Sequence, residues 1–419
     1  MTDEISRRRF LGQIPVATAA AGVVAMHPAT ARVVGANDRI RIGIIGAGAR
    51  GQEDLKAAIA VPNVECVAMA DVYTRRHDEL RRFVPHIEAY VDYRRLLDRK
   101  DIDAVLIASP LHLHAPHLLD TIAAGKDFYS EKTMTWSIPE AVACREAAQK
   151  SDRVIQIGLQ FESSGSLKDT RQWIKAGKLG KVTQVESWMS RNTPHGKGQW
   201  VRPVPEDCNP QHVNWDLFLA NRPKTAFDAN KFINWRLFWE FSGGNLTENM
   251  VHQIAWIITA LDLQLPSAAY MSGGVFSEKD GREVPDVIAV TLDYPEMVVL
   301  WQSTFNNKQF GMGERLLGSN GSVEHLSGST DMVTGRSHDE ETHYYPEKVN
   351  ERDGAPAQGQ SPDQNHMVNF FDCVRTRKQP NAPVEVGYKS AIAVHMANMA
   401  YREKRRITLE EAMAAKALD

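Results

Sequence analysis

The apolar run Ile40-Arg41-Ile42-Gly43-Ile44-Ile45 leads straight into Gly46-Ala47-Gly48-Ala49-Arg50-Gly51, and this junction constrains the fold more than any other feature. A buried strand must reverse into a helix within a few residues. The G-x-G-x-x-G spacing meets that demand: Gly46 permits the tight turn, Gly48 lets a pyrophosphate approach the backbone, and Gly51 lets helix pack on strand. The helix N-terminus then offers free N–H groups and a partial positive charge to phosphate, with Arg50 inside its first turn. Asp71 closes the next apolar run, Val64 to Ala70, 20 residues beyond Gly51, where an acidic side chain accepts hydrogen bonds from a ribose diol and repels a 2′-phosphate. NAD is thus favoured over NADP, although Arg75 and Arg76 stand near enough to weaken the preference.

Further strand-like runs, Asp103 to Ala108 and Arg153 to Gly158, alternate with helical patterns at Arg75 to Phe83, His114 to Ala124 and Ile138 to Ser151. Alternation of this kind predicts a parallel sheet covered on both faces, so residues 37–158 read as a doubly wound dinucleotide-binding domain of α/β class. The pattern then changes. Val182 to Met189, Val287 to Tyr294, Met297 to Thr304 and Ser322 to His325 are strand-like, and the second and third make a hairpin candidate across Asp293-Tyr294-Pro295-Glu296. Residues 159–419 therefore read as an α+β domain with a large, mainly antiparallel open sheet. Within it Asn249 to Leu261 has helical spacing, Thr330 to Pro362 reads as polar surface loops, and His366 to Arg375 and Lys389 to Arg402 read as helices packing back on the body. With 43% hydrophobic residues, 24% charged and a formal net charge of -3, nothing points to nucleic acid or a membrane surface as partner.

The first residues stand apart. Ser6-Arg7-Arg8-Arg9-Phe10-Leu11 precedes a small-residue apolar run from Ile14 to Met26 and then Ala29-Thr30-Ala31, an A-x-A cleavage pattern. Residues 1–31 resemble a twin-arginine (Tat) signal, which implies export of the folded protein by the Tat machinery to the periplasm or beyond, with the mature chain beginning near Arg32. Cys66, Cys144, Cys208 and Cys373 are irregularly spaced, so neither a metal ribbon nor a redox dithiol is expected, and buried free thiols are the commoner outcome.

Ala108-Ser109-Pro110-Leu111-His112-Leu113-His114 and Ala124-Gly125-Lys126-Asp127-Phe128-Tyr129-Ser130-Glu131-Lys132 resemble the S/T-P-x-x-x-H and A-G-K-(x)4-E-K-P segments of the Gfo/Idh/MocA oxidoreductase family. The likeness continues through Gly177 to Val182, Trp235-Arg236, Gly244 to His252 and Asn369 to Asp372. It implies a Rossmann domain followed by an α/β domain, with substrate held between them over the nicotinamide. It also implies that Lys132, Glu248 and His252 carry the chemistry, that Ser109, Pro110, His114, Glu131 and Lys132 line the cofactor pocket, and that Trp235 and Arg236 approach the nicotinamide end. Two positions depart from the family: Thr133 replaces the proline that would help aim the lysine, and Glu248 stands where many members have aspartate.

Oxidising a secondary alcohol requires a group that accepts the hydroxyl proton near neutral pH, and an imidazole or a buried lysine suits the task. Glu248 and His252 at i and i+4 would share a helical face, so the carboxylate could orient the imidazole. His195, in a polar loop with two glycines, is a further candidate. His112, His114 and His117 lack an acidic or thiolate partner, and no metal is expected. Trp188, Trp200, Trp215, Trp235, Trp239 and Trp256 fall in the second domain, where sugar stacking competes with core packing. The leading expectation is an NAD-dependent oxidoreductase of a sugar, glycoside or polyol with tightly held cofactor. The alternatives are an NAD-dependent glycosidase using transient C3 oxidation and a non-catalytic sugar-binding protein. The resemblance further implies a homo-oligomer joined through the open sheet face.

Overall fold

Hydrophobic residues on both faces of the first strands force a layered arrangement, and the computed structural model shows it over the residues it describes: 39–192, 198–308, 311–327, 341–346 and 361–415. Residues 1–31, where an export signal is expected, and His195 lie outside that range. Chain order runs β1 (Ile40–Ile45), α1 (Ala49–Ile59), β2 (Val64–Ala70), α2 (Thr74–Arg81), β3 (Glu88–Tyr90), α3 (Tyr93–Leu97), β4 (Ala104–Ile107), α4 (His114–Ala123), β5 (Asp127–Glu131), α5 (Ile138–Gln149) and β6 (Ile155–Gly158). These six strands form one parallel sheet in the order β3-β2-β1-β4-β5-β6. β4, β5 and β6 are buried at every position, as a parallel sheet covered by helices requires. The strand order reverses between β1 and β4, so the carboxyl ends of these strands splay and leave the crevice where ligands of such sheets bind.

The second half continues through α6 (Gly165–Lys175), β7 (Val182–Met189), α7 (Trp215–Leu219), α8 (Ala229–Ile233), α9 (Val251–Leu261), β8 (Ala268–Gly274), β9 (Val287–Tyr294), β10 (Met297–Thr304), β11 (Met312–Gly318), β12 (Gly321–Ser327) and β13 (Glu341–Pro346). It ends with α10 (Pro362–Thr376), α11 (Val384–Glu403), β14 (Ile407–Thr408) and α12 (Leu409–Ala414). Its eight strands run β13-β12-β11-β7-β10-β9-β8-β14, antiparallel except for β7 beside β10. β10 alternates buried and exposed residues, which fixes its register. Val299, Trp301 and Ser303 face the helices, while Val298, Leu300 and Gln302 face outward with Tyr270 of β8.

The expected change of architecture near Gly158 is present, yet the core does not break there. α10 returns to the first sheet, and Met367, Phe370, Phe371 and Cys373 pack with Ile42, Ile44, Leu55 and Tyr129. Arg377 pairs with Asp127 at the head of β5, and Ile157 N donates to Ala382 O at 2.9 Å. α11 lies so close to β6 that a Cβ at Gly387 would stand 2.7 Å from Ile157 Cγ1. Two corrections to the sequence reading follow. β3 and β5 carry no clear strand pattern in the sequence, and Glu341–Pro346, read as part of a surface loop, is a strand paired with β12.

Since Phe370 is fully buried against strands more than 200 residues earlier in the chain, Phe370→Ala is expected to lower the unfolding free energy by about 3–5 kcal/mol in a denaturant melt. A loss under about 1 kcal/mol would show that α10 is no part of the first lobe's core.

Candidate active site

The glycine loop divides its work as steric demands require. Gly46 has φ of 90°, and a Cβ there would meet Ser109 N at 2.6 Å. At Gly51 it would lie 2.0 Å from Gly46 O, whereas at Gly48 nothing stands within 4 Å. Two glycines therefore serve the fold and the third leaves space for a ligand. α1 begins there without a side-chain cap, so its first N–H groups are free to meet an anion. Asp71 accepts from Ala47 N at 2.7 Å and from Tyr73 N at 2.9 Å, tying the loop to the end of β2. Burial raises its pKa and these two donors oppose the rise. A groove with about 910 Å³ of empty space open to solvent runs past Gly48, Asp71, Pro110, Arg202, Trp235 and Arg236. An uncapped helix, an open Gly48 and a carboxylate at the next strand end fit an adenine dinucleotide.

At the far side of this crevice, the chain leaving β5 delivers Lys132. Its Nζ donates to Glu248 O at 3.0 Å and to Glu248 Oε2 at 3.3 Å, and Arg236 Nε donates to the same oxygen at 2.8 Å. Burial alone would raise the pKa of Glu248, but the charges of Lys132 and Arg236 outweigh it and bring it down to about 2. The two departures from the family pattern help to form this contact. Thr133 Oγ1 donates to Thr247 O at 2.7 Å, a bond that proline could not make. Glu248 itself sits in a π-helical turn, Leu246–Met250, that runs into α9.

This turn overturns the expected carboxylate–imidazole pair. Glu248 faces Lys132 and Arg236, while His252 Nδ1 is buried without a hydrogen-bond partner among the described residues. The imidazole packs against Phe161, with ring centroids 5.3 Å apart, and Nε2 is left as the nitrogen available to a ligand. Burial, then the charges of Lys132, Arg50 and Arg191, hold its pKa well below the usual value, so it is neutral at pH 7.

Other expected site residues stand behind the groove. Glu131 is buried, accepting from Arg50 Nε at 3.0 Å, Gln160 Nε2 at 3.0 Å and Tyr129 OH at 3.1 Å. Burial raises its pKa, but Arg50 and Lys132 outweigh that and keep it ionised. Arg50 lines the groove, yet its guanidinium is also engaged by Asp54 at 2.9 Å and Asp363 at 3.0 Å. His114 bridges Thr133 O at 2.7 Å and Ser109 O at 2.8 Å, so it braces the lysine loop. Ser109 Oγ turns to His117 at 3.0 Å, and His112 Nε2 bonds Phe218 O at 2.6 Å. Among the six tryptophans only Trp235 lines the groove; Trp256 is core, Trp215 stacks on Phe218 and Trp200 meets Phe305 edge-on. Arg202, Asp363 and Gln160 drew no attention in the sequence, because only long-range folding brings them here.

Comparison with known proteins agrees with this architecture. Residues 40–159 match the model described as "Oxidoreductase family, NAD-binding Rossmann fold", and residues 212–409 match "Oxidoreductase family, C-terminal alpha/beta domain". The chain belongs to the Gfo/Idh/MocA oxidoreductase family. It is 27% identical over 177 residues to inositol 2-dehydrogenase of Salmonella paratyphi B, covering 42% of this chain and 50% of that protein. It is 26% identical over 233 residues to a glycosyl hydrolase family 109 protein of Shewanella pealeana, covering 47% and 50%. Each match thus spans about half the relative's length. Levoglucosan dehydrogenase in complex with NADH shares the fold at a TM-score of 0.69 and 16% identity, over 88% of this chain and 99% of that one.

Two measurements probe the site directly. Gly51→Ala should destabilise the protein by about 1–3 kcal/mol. Gly48→Ala should leave stability within about 0.5 kcal/mol yet weaken dinucleotide binding about tenfold or more, as read by calorimetry. The depressed pKa of Glu248 means that its stabilising contribution is complete above its ordinary pKa of 4.5 and is lost as pH falls toward about 2. Glu248→Gln should flatten that part of the stability-versus-pH curve.

Proposed function

We propose that this protein oxidises a secondary hydroxyl of a sugar, glycoside or polyol with a nicotinamide dinucleotide, NAD in preference to NADP. The observation that carries the reading is Lys132 Nζ, held 3.3 Å from Glu248 Oε2 at the carboxyl end of β5 with neutral His252 close by in the sequence of the same helix. The bound oxidised nicotinamide supplies the hydride acceptor. Lys132 donates a hydrogen bond to the substrate oxygen and stabilises the negative charge that grows there as its proton leaves. His252, kept neutral by burial, takes the proton on Nε2. Glu248 fixes the ammonium group of Lys132, and Arg236 balances its carboxylate from the second lobe. Asp71 supports the preference for NAD through its position at the ribose end of the groove.

The likeness to a glycosyl hydrolase family 109 protein supports a second reading in which the same residues oxidise C3 transiently, eliminate the aglycone and end without net redox change. Export by the signal at Ser6 to Leu11 favours a retained cofactor in either case, since a compartment without a nicotinamide pool cannot resupply it. The outward Tyr270, Val298 and Leu300 of the open sheet support self-association.

The folded protein is to be given a panel of polyols, sugars and aryl glycosides while reduced-cofactor absorbance and free aglycone are followed together. Accumulating reduced cofactor without aglycone supports the oxidoreductase, and aglycone without net reduction supports the glycosidase. Lys132→Ala should lower turnover at least about 100-fold in either case, and unchanged turnover would refute the assignment of this lysine.

A further inference from the structure

We propose that Arg202 is the phosphate clamp of the cofactor site, carried by the second lobe across the groove onto the diphosphate of the dinucleotide. The proposal rests on the nicotinamide-cofactor reading above and adds a residue and a binding mode to it.

The segment 198–237 crosses the groove as a strap fixed at both ends. At its start, Arg282 donates to Gln199 O at 2.9 Å and Trp200 sits edge-on to Phe305 at 5.1 Å. At its far end Glu283 N donates to Leu237 O at 2.9 Å, and partway along the strap is sewn to the residues that follow Asp71. Asn214 N donates to Val72 O at 2.8 Å, Thr74 N donates to His212 O at 3.0 Å, and Tyr73 pairs with Val213 as an antiparallel bridge. Tyr73 OH adds a bond to Asp207 at 2.6 Å. Arg202 is held by its backbone alone: its N–H donates to Asn234 Oδ1 at 2.7 Å, and Asn234 Nδ2 returns a bond to Arg202 O at 3.1 Å. Asn234 is buried, so the point from which the side chain springs is rigid.

Charge accounting then singles out this guanidinium. Arg76, Arg202 and Arg236 all line the groove. Arg76 pairs with Glu79 at 2.5 Å and Arg236 with Glu248 at 2.8 Å, while Arg202 has no carboxylate partner among the described residues. Partial burial, then the like charges of Arg236 and Arg76, lower its pKa, and the carboxylate of Glu53, which acts on it through space without a hydrogen bond or ion pair, does not offset them. On the opposite wall Gly48 and the uncapped start of α1 offer N–H groups to phosphate. Arg50 beside them is already neutralised by Glu131, Asp54 and Asp363, and Glu53 on the rim makes only a 3.5 Å contact to Arg50. The side-chain countercharge for a diphosphate must therefore come from across the groove. A guanidinium offers paired N–H donors that match phosphate oxygens. Bound dinucleotide would then join both lobes, and its release would require the Arg202 contact to break. Arg202 is accordingly a cofactor-binding residue rather than a participant in hydride transfer.

The test uses the full chain, stripped of bound nucleotide, with NAD+, NADP+, ADP-ribose and adenosine as probes and tryptophan fluorescence as readout. Arg202→Ala should weaken NAD+, NADP+ and ADP-ribose by a similar factor of about ten or more, equivalent to ~1.4 kcal/mol, and leave adenosine unaffected. It should also speed NAD+ release, shift KM for NAD+ while sparing kcat at saturation, and be partly rescued by Arg202→Lys. A thermal melt of the variant should match wild type, because the hydrogen bonds to Asn234 use the backbone. Unchanged NAD+ binding would overturn the proposal, as would a loss confined to NADP+, which would place the guanidinium at a 2′-phosphate. Failure of the wild-type protein to bind any dinucleotide would instead overturn the cofactor reading itself, and the clamp with it.

Discussion

A buried carboxylate shared between two cations organises this molecule. Glu248, 8% exposed at its side chain, lies between Lys132 from the first sheet and Arg236 from the second lobe. Taking three charges out of water costs several kcal/mol per ion, a cost offset only where geometry is good and the remaining hydrogen bonds are made. Here the lysine also meets Glu248 O, and the next residue, Thr133, bonds Thr247 O. Those bonds make the π-helical turn part of the ion pair's support. They also fix the lysine at the carboxyl end of β5, beside the crevice that the strand order opens.

The same logic extends outward. Because α10 completes the core of the first sheet and α11 packs on β6, the two lobes cannot drift independently, and Lys132 keeps its distance from Glu248. Near Asp71 the second-lobe segment is pinned to Val72 and Thr74 of the first lobe beside the groove. Residues of both lobes line this groove. His114 and Glu131 then have a common purpose: one braces the lysine loop from behind, and the other holds Arg50 and the backbone N–H of Lys132, the latter at 3.3 Å.

What the sequence disclosed follows from how local each requirement is. The glycine loop was legible because Gly46 and Gly51 answer steric demands set within a few residues, and Asp71 falls at a spacing dictated by one βαβ unit. The second sheet was legible in β7, β9 and β10, where alternation is clean. β5 was not: Asp127-Phe128-Tyr129-Ser130-Glu131 mixes charged and polar side chains, and it is buried because Arg377, Gln160 and Arg50, far away in sequence, satisfy them. Helical spacing suggested that Glu248 would serve His252, but the wider turn at Leu246–Met250 turns the carboxylate toward Lys132, 116 residues upstream. Arg202 was invisible for the same reason, since its significance depends on which other arginines already have partners.

The claim that the Lys132–Glu248 contact couples the lobes is most directly tested by a double-mutant cycle on unfolding free energy with Lys132→Met, Glu248→Gln and the pair. If the buried ion pair is as described, the two changes are non-additive, with a coupling of about 1 kcal/mol or more. Effects that add to within about 0.3–0.5 kcal/mol would mean that the two side chains do not depend on each other, contradicting the account.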